Sequence, residues 1–516
     1  MTDNSPSPDT FNARWVSPES VAETFVPIPQ FRQLSQNSHS LLLGPRGCGK
    51  TTLLKMLTRP AQQKWDTMGR AARFEVKFSH PGFEAVYIPS DVRWSYEVGS
   101  IPDAIRCNGD LVNRTQRIMV AMNSIFHFLG AIRPLVGNDR LLEREVCEQL
   151  IRRLGLRNTL ATVRDVRCSL EEVAAAVRGS VSSGDVSRLE NVLKDIPAFL
   201  FGHALDPVMS AIRFVSEHLD AATKPKQWAL CYDELEIAPA WLRQELIAGL
   251  RSGPQDVLLK LTWYPILPSG IPTAPGAADD FRPIRLWHSH VEDPKAFCED
   301  LAGEFLRRKF GDTAPTPAEF FSRSVLAAEG EDEPSKAYER DSTEYRAFRE
   351  LATWDKSFEA LLKGRRIDPE DPIPKSQAEK DQFFRKVKPI VLLRNTFGDE
   401  SKGRSRKAPA LYVGREAIYA ISEGNPRWLL GLLNDLVDLG EPRPGDHSGS
   451  SVGYTSQGRV LTNASVRFRA LIKASPFKPP ENIVRAADHT LLGFVDLLGA
   501  YFQEALHNRN EFRPVP

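Results

Sequence analysis

Short runs of apolar residues, each followed by polar residues, mark the predicted strands of this chain. Leu41–Leu43 and Trp228–Tyr232 are uninterrupted, Val257–Trp263 is broken by a lysine and a threonine, and Phe83–Asp91 alternates before it runs apolar. Uninterrupted runs of this length are typical of strands buried on both faces of a parallel sheet. Phe281–Leu286 is expected to add a last strand. The pattern predicts an α/β fold with a parallel sheet flanked by helices.

Between the second and third predicted strands, apolar residues recur at helical spacing. They form two faces, one with Ile118, Met122, Ile125, Phe126 and Leu129 and one with Leu142, Val146, Leu150 and Leu154. Ser169 and Glu172 are spaced as a capping box, which predicts a helix start there. The result is a helical insertion over residues 105–225, much longer than a usual crossover. It could carry specificity for a partner or ligand, or serve as scaffold.

The first predicted strand leads into a glycine-rich loop and then a helix. Gly44, Gly49, Lys50 and Thr51 fill the four fixed positions of G-x-x-x-x-G-K-[ST]. Glycines let backbone N–H groups turn toward phosphates, Lys50 is expected to reach the β- and γ-phosphates, and Thr51 to hold Mg²⁺. The strand and helix on either side argue against an accidental glycine-rich turn. The other residues assigned to this ATP site are Pro45, Arg46, Gly47, Cys48 and Thr52.

Two acids end the third predicted strand, at the edge where ligands bind in open α/β sheets. Asp233 is placed to join the Mg²⁺ shell, and Glu234 to orient and deprotonate the attacking water. Thr262, near the end of the next strand, could sense the γ-phosphate or be an ordinary strand threonine. Cys48 is interpreted as a small filler of the loop rather than a redox sensor.

A third motif lies far along the chain, in the segment Ser422–Leu430. Asn425 is predicted as a helix N-cap and Pro426 as the first helical residue, which fixes Arg427 in the first turn. A guanidinium held in this way can fork onto a phosphate and report the presence of the γ-phosphate.

Composition narrows the class of protein. The 67 Lys and Arg residues nearly balance the 66 Asp and Glu residues, so net charge does not indicate a nucleic-acid binder. A basic cluster within residues 402–407 could contact nucleic acid or be a solvated loop. The six cysteines include no C-x-x-C pair, which argues against a structural zinc site and against disulfides. Because residues 1–19 start polar and proline-rich and no run of eighteen apolar residues follows, we expect a disordered tail, no membrane segment and a cytoplasmic protein.

With these three motifs in this order, the chain resembles the AAA+ ATPases of the origin-recognition (ORC) and cell-division-cycle initiator type and their STAND signalling relatives. The likeness covers residues 20–90, 225–310 and 410–440. It implies that Lys50 and Thr51 are Walker A residues, and Asp233 and Glu234 Walker B residues. It also implies sensor and finger residues, namely Thr262 as a first sensor, Arg427 as a second sensor on a helical lid, and Arg282 as a finger reaching a neighbour's nucleotide.

The same resemblance suggests a domain plan and a function. The plan is a tail over 1–19, an ATPase core over 20–290, a helical lid over 291–440 and a flexible loop with C-terminal helices over 441–516. The insertion, and the lack of a recognisable winged helix in the last 60 residues, are unlike replication initiators. The chain looks more like the bacterial ORC-like ATPases of uncharacterised or antiviral-defence operons, which are often encoded beside an effector. This suggests a nucleotide-driven switch that assembles as a homo-oligomer or with an effector protein. A DNA-dependent remodelling or loading ATPase and a scaffold that barely hydrolyses ATP are the alternatives.

Overall fold

The computed structural model describes residues 13–69, 74, 81–91, 94, 101–136, 139–157, 159–219, 224–252, 256–266, 281–286, 294–321, 340, 342–397, 412–439, 451–474, 490–507 and 512. The chain forms two compact units. The first comprises Met1–Glu292 with Asn425–Arg427, and the second comprises Asp293–Gly424 with Trp428–Pro516. The boundary at residue 292 lies close to the predicted end of the ATPase core.

A parallel sheet organises the first unit. Its described strands are β1 (Ser40–Leu43), β2 (Glu84–Pro89), β3 (Trp228–Asp233), β4 (Val257–Trp263) and β5 (Arg282–Arg285). They lie in the order β2-β3-β4-β1-β5, and every neighbouring pair is parallel. This confirms the predicted α/β class and the parallel sheet flanked by helices.

Helices cover both faces of this sheet. They are α1 (Pro18–Thr24), α2 (Pro29–Leu34), α3 (Lys50–Met56), α4 (Arg59–Thr67), α5 (Asp103–Arg106), α6 (Gly109–Val136), α7 (Arg140–Leu154), α8 (Val163–Ser183), α9 (Val186–Lys194), α10 (Asp206–His218) and α11 (Ala240–Ser252). Successive strand residues point to opposite faces. Leu41 and Leu230 therefore join one apolar cluster with α6 to α10, whereas Leu42 and Ala229 join another with α1 to α4.

Helix α6 is long and apolar enough to cross a membrane, judged by length and composition. In the structure Ile118, Ile125 and Phe128 on this helix are fully buried, and the helix packs against β2. It is the core helix of the first unit, so its apolar character is explained without a membrane.

The start of helix α8 contradicts the predicted capping box at Ser169 and Glu172. The helix begins at Val163, and the Thr162 hydroxyl caps it by accepting a 3.1 Å hydrogen bond from the Asp165 backbone N–H. Ser169 lies inside the helix, 2.8 Å from the Thr159 hydroxyl. The prediction was wrong because an earlier cap, in a Thr-x-x-Asp segment, starts the same helix about two turns sooner.

The predicted disordered tail over residues 1–19 is wrong for residues 13–19, while residues 1–12 lie outside the described residues. Helix α1 begins at Pro18, and its N-cap Ser17 accepts a hydrogen bond from the Ser20 backbone N–H at 3.2 Å. The buried ammonium of Lys55 also donates to backbone carbonyls in this segment. Local composition does not reveal such a distant donor.

The second unit is helical. Its described helices are α12 (Lys295–Phe310), α13 (Pro317–Phe320), α14 (Thr343–Trp354), α15 (Lys356–Gly364), α16 (Gln377–Phe397), α17 (Arg415–Ser422), α18 (Pro426–Leu439, whose first two residues group with the first unit), α19 (Tyr454–Ala474) and α20 (Leu491–His507). The predicted C-terminal helices within 441–516 are present as α19 and α20, and they group in one unit with the helices of the predicted lid. Phe512 is buried with Phe348, Phe358 and Phe383 in one core, which ties the chain's end to α14–α16. The basic cluster within 402–407 lies outside the described residues.

Candidate functional site

The glycine-rich loop joins β1 to α3 through backbone geometry that glycine permits. Gly47 and Gly49 have φ of +90° and +94°, in the left-handed region that side chains with a Cβ rarely adopt. At Gly44 glycine is needed for a steric reason, because a Cβ there would come within 2.5 Å of Sγ of Cys48. Cys48 is buried, and burial raises the pKa of its thiol. This agrees with the interpretation of Cys48 as a filler.

Lys50, the first residue of α3, folds back over the loop. Its ammonium donates hydrogen bonds to the carbonyl oxygens of Gly44 at 2.7 Å and Pro45 at 3.2 Å. Only 7% of the residue is exposed. The charge is therefore held over the loop itself, where a phosphate chain cradled by the loop would meet it. Thr51 and Thr52 follow in the first turn of α3.

The carboxylate of Asp233 accepts hydrogen bonds from three hydroxyl groups of the site. The residue is 1% exposed, and its Oδ2 accepts hydrogen bonds from the hydroxyls of Thr51 at 2.6 Å and Tyr87 at 3.0 Å. Its Oδ1 accepts from the Thr262 hydroxyl at 3.0 Å. The structure thus brings together three residues predicted from separate segments.

Sequence reasoning missed Tyr87, which lies on β2 beside β3. Burial, followed by the negative charge of Asp233, raises the pKa of Tyr87, so the phenol stays protonated and donates its hydrogen. Its place two residues before the end of a strand predicted to reach the ligand edge was the available signal.

Glu234 leaves β3 with φ of 53° and ψ of 44°, a left-handed conformation that is uncommon for a residue with a side chain. Its backbone N–H donates to Oγ1 of Thr262 at 2.8 Å and to Oδ1 of Asp233 at 2.9 Å. These bonds hold the strained residue in place. Thr262 is therefore engaged with both acids, and its role as a γ-phosphate sensor stays a prediction.

The carboxylate of Glu234 forms an ion pair with Arg14, which sequence reasoning also missed. Arg14 lies 220 positions earlier, in a segment predicted to be disordered. No local pattern marks such a partner.

The third motif reaches the glycine-rich loop. Oδ1 of Asn425 accepts from the Arg427 backbone N–H at 3.1 Å, which confirms the predicted N-cap, and its Nδ2 donates to the Arg46 carbonyl at 3.2 Å. The Arg427 N–H also lies 3.4 Å from the Gly47 carbonyl. A Cβ on Gly47 would come within 2.7 Å of the Arg427 Cβ, so this close approach needs glycine. Burial and the neighbouring charge of Arg46 lower the pKa of Arg427.

Arg282 is not part of this arrangement. It is the first residue of β5 and pairs in register with Ser40, the first residue of β1. Because the strands are parallel, its backbone lies at the edge of the sheet opposite the glycine-rich loop. Its predicted role as a finger concerns a neighbouring molecule and stays a prediction.

The arrangement fits a nucleotide with a hard divalent cation. A hydroxyl and a buried carboxylate, oxygen donors of the kind Mg²⁺ prefers, lie 2.6 Å apart at Thr51 and Asp233. The loop beside them offers backbone N–H groups and the Lys50 ammonium to phosphates.

Comparison with known protein families adds a finding independent of this geometry. A family model described as ORC-CDC6-like matches residues 8–515. The chain belongs to the ORC-CDC6-like family. Searches among curated proteins and among solved structures gave no match. For this ORC-CDC6-like chain, the family match and the parallel sheet together confirm the AAA+ resemblance drawn from the motifs.

Proposed function

We propose that this ORC-CDC6-like protein is an ATP-binding and ATP-hydrolysing molecular switch that couples its nucleotide state to assembly with a partner. One observation carries the proposal. Three residues converge at the carboxyl edge of the sheet, namely Thr51 in the first turn of α3, the buried Asp233 and the adjacent Glu234.

Binding is assigned to the loop and its neighbours. The loop residues 44–49 and Lys50 would hold the phosphates, and Thr51 with Asp233 would hold Mg²⁺. Bound there, Mg²⁺ would supply positive charge to stabilise the negative charge that develops on the transferred phosphoryl group. Tyr87 and Thr262 keep the Asp233 carboxylate oriented for that task by donating to both of its oxygens.

Hydrolysis is assigned to Glu234. Its carboxylate would orient the attacking water and accept its proton, a role that contributes about 10²–10⁴ in rate. The two hydrogen bonds made by the Glu234 N–H fix the backbone from which this side chain extends.

Switching is assigned to Asn425 and Arg427. Both residues already contact the backbone of the loop, and a guanidinium beside the loop would bind ATP better than ADP if it met the γ-phosphate. Such differential binding is what lets a ligand move a conformational equilibrium. We extend the proposal to assembly as a homo-oligomer or with an effector, and to antiviral defence, on the resemblance to ORC-like ATPases of defence operons.

The test measures nucleotide binding, hydrolysis and assembly on the purified full chain. Lys50→Ala should lose ATP binding or turnover, whereas Glu234→Gln should keep Mg²⁺–ATP binding and lose turnover. Glu236→Gln, at a nearby partly buried acid, is the matched control and should hydrolyse ATP at the wild-type rate. Light scattering should show a larger assembly with ATP in Glu234→Gln than with ADP.

Three results would contradict the proposal. If Glu234→Gln hydrolyses ATP at the wild-type rate, Glu234 is not the catalytic base. If the assembly state is the same with ATP and ADP, the protein is not a nucleotide-driven switch. Stimulation by DNA that moderate salt abolishes would favour the remodelling or loading ATPase instead.

A further inference from the structure

The segment before α1 places a guanidinium on the proposed catalytic acid. Arg14 forms an ion pair with Oε2 of Glu234, and its second terminal nitrogen donates to the Ser90 carbonyl at 2.6 Å. The side chains of Arg14 and Glu234 are only 26% and 25% exposed. Ser90 directly follows β2 and its N–H bonds the Asp233 carbonyl, so Arg14 spans the ends of β2 and β3 at the ligand edge of the sheet.

A buried lysine anchors the segment that carries Arg14. The ammonium of Lys55, on α3, donates to the carbonyls of Ala13 at 2.7 Å, Arg14 at 3.1 Å and Val16 at 2.7 Å. Lys55 is 4% exposed and also lies over the Tyr87 ring, 4.9 Å from its centroid. Helix α3 begins at the end of the glycine-rich loop. Lys55, which holds the segment with Arg14, and the loop proposed to bind phosphates therefore belong to one continuous stretch of chain.

This arrangement competes with the chemistry assigned to Glu234. A general base needs a carboxylate oxygen within hydrogen-bond reach of the water it deprotonates. Here Oε2 already accepts a charge-assisted hydrogen bond, and such bonds are about twice as strong as neutral ones. A water that approaches Oε2 must therefore compete with the guanidinium, which already occupies one acceptor position of that oxygen and fixes the direction of the carboxylate.

We propose that Arg14, held by Lys55, restrains Glu234 and that its release is required for rapid ATP hydrolysis. The proposal rests on the proposed ATPase function. Arg14 is here a positioning residue, since it acts through Glu234. The segment over residues 13–17 is then a latch whose position sets the fraction of molecules able to hydrolyse ATP.

The first experiment compares steady-state ATP hydrolysis by full-length variants. Arg14→Ala should raise kcat by about tenfold, because the competent fraction grows when the competing hydrogen bond is absent. Its Mg²⁺–ATP affinity should stay near the wild-type value. Arg32→Ala removes the same charge from an exposed position on α2 and should leave kcat unchanged. Arg14→Ala combined with Glu234→Gln should be as inactive as Glu234→Gln alone, which shows that the faster turnover of Arg14→Ala still requires Glu234.

A second experiment does not depend on turnover. Trypsin cleavage after Arg14, followed by mass spectrometry of the released N-terminal peptide, reports how often the guanidinium leaves its partner. Cleavage should be several-fold faster in Glu234→Ala than in wild type, whereas cleavage after Arg32 should be equal in both.

The outcomes separate the two proposals. If wild type and Arg14→Ala bind ATP but neither hydrolyses it, the ATPase function fails, while faster cleavage in Glu234→Ala still supports the contact. If Glu234→Gln abolishes a measurable wild-type activity but Arg14→Ala is no faster than Arg32→Ala, the restraint is overturned. A fall in kcat for Arg14→Ala, or equal cleavage after Arg14 in wild type and Glu234→Ala, overturns it as well.

Discussion

The hydroxyl of Thr51 donates a 2.6 Å hydrogen bond to Oδ2 of Asp233, although the two residues are 182 positions apart. The bond forms because β1 and β3 run parallel and end at the same edge of the sheet. Thr51 is the second residue of the helix beyond one strand, and Asp233 is the last residue of the other. The pair marks the point where the helix after the glycine-rich loop meets the acidic end of β3.

Tyr87 shares the Asp233 acceptor with Thr51, so Tyr87→Phe should weaken Mg²⁺ binding without removing a ligand. Loss of an outer hydrogen bond of this kind typically costs about 10–100-fold in metal affinity. We expect the Mg²⁺ concentration that gives half-maximal ATP hydrolysis to rise by about tenfold. Tyr232→Phe is the control, since that buried phenol bonds Ser124 instead, at 3.1 Å. An equal Mg²⁺ requirement in the two variants would contradict the role given to Tyr87.

Arg427 should distinguish ATP from ADP. Arg427→Ala keeps the backbone N–H near Gly47 but removes the guanidinium, so ATP affinity should fall by about tenfold while ADP affinity changes little. Arg427→Lys should restore only part of the difference, because an ammonium cannot fork onto two phosphate oxygens. Calorimetry with each nucleotide measures the ratio. A parallel loss for ATP and ADP would show that Arg427 supports the loop and does not sense the γ-phosphate.

Removing one partner of a buried ion pair in the second unit should strongly destabilise its core. Nη1 of Arg394 lies 2.7 Å from Oδ2 of Asp355 and 2.7 Å from the Ser357 hydroxyl, and Nε donates to the Leu506 carbonyl. Although burial opposes ionisation, hydrogen bonds from Ser357 and Arg394 lower the pKa of Asp355.

Arg394→Met would leave the Asp355 charge buried without this partner and should lower the free energy of unfolding by about 3–5 kcal/mol. Arg385→Met, at an exposed position on the same helix, should change it by less than about 0.5 kcal/mol. Chemical denaturation followed by circular dichroism compares the two. Similar losses in both variants would refute the importance of the pair.

His127, on α6, should make the first unit sensitive to acid. Burial, with smaller contributions from the charges of Arg167 and Lys55, lowers the pKa of His127 from 6.5 to about 4. Between these values the unfolded chain binds a proton that the folded chain does not, so stability falls as the pH drops from about 6.5 toward 4.

His127→Gln should therefore reduce the loss of stability between pH 7 and pH 5 by about 1–2 kcal/mol. Urea unfolding monitored by tryptophan fluorescence at both pH values measures the difference. His203→Gln is a control, because that histidine is on the surface of the same unit. An unchanged pH dependence in His127→Gln would refute the assignment.

Local patterns determined the elements and motifs of this protein. Leu41–Leu43 and Trp228–Tyr232 are strands because consecutive apolar residues suit a sheet covered on both faces. The N-cap at Asn425 followed from one polar side chain and a proline, which act within two residues of each other. Both signals come from residues close together in the sequence, so the sequence can be read for them directly.

The tertiary structure decided which distant side chains meet. Strand order and register bring Tyr87 to Asp233, and three carbonyl bonds to Lys55 bring Arg14 to Glu234. Phe512 likewise joins the core of the second unit from the end of the chain. These contacts depend on how helices and strands from distant parts of the chain pack together. A short stretch of sequence does not contain that information. The sequence alone therefore identified the acids and the glycine-rich loop, and only the folded chain showed which side chains contact them.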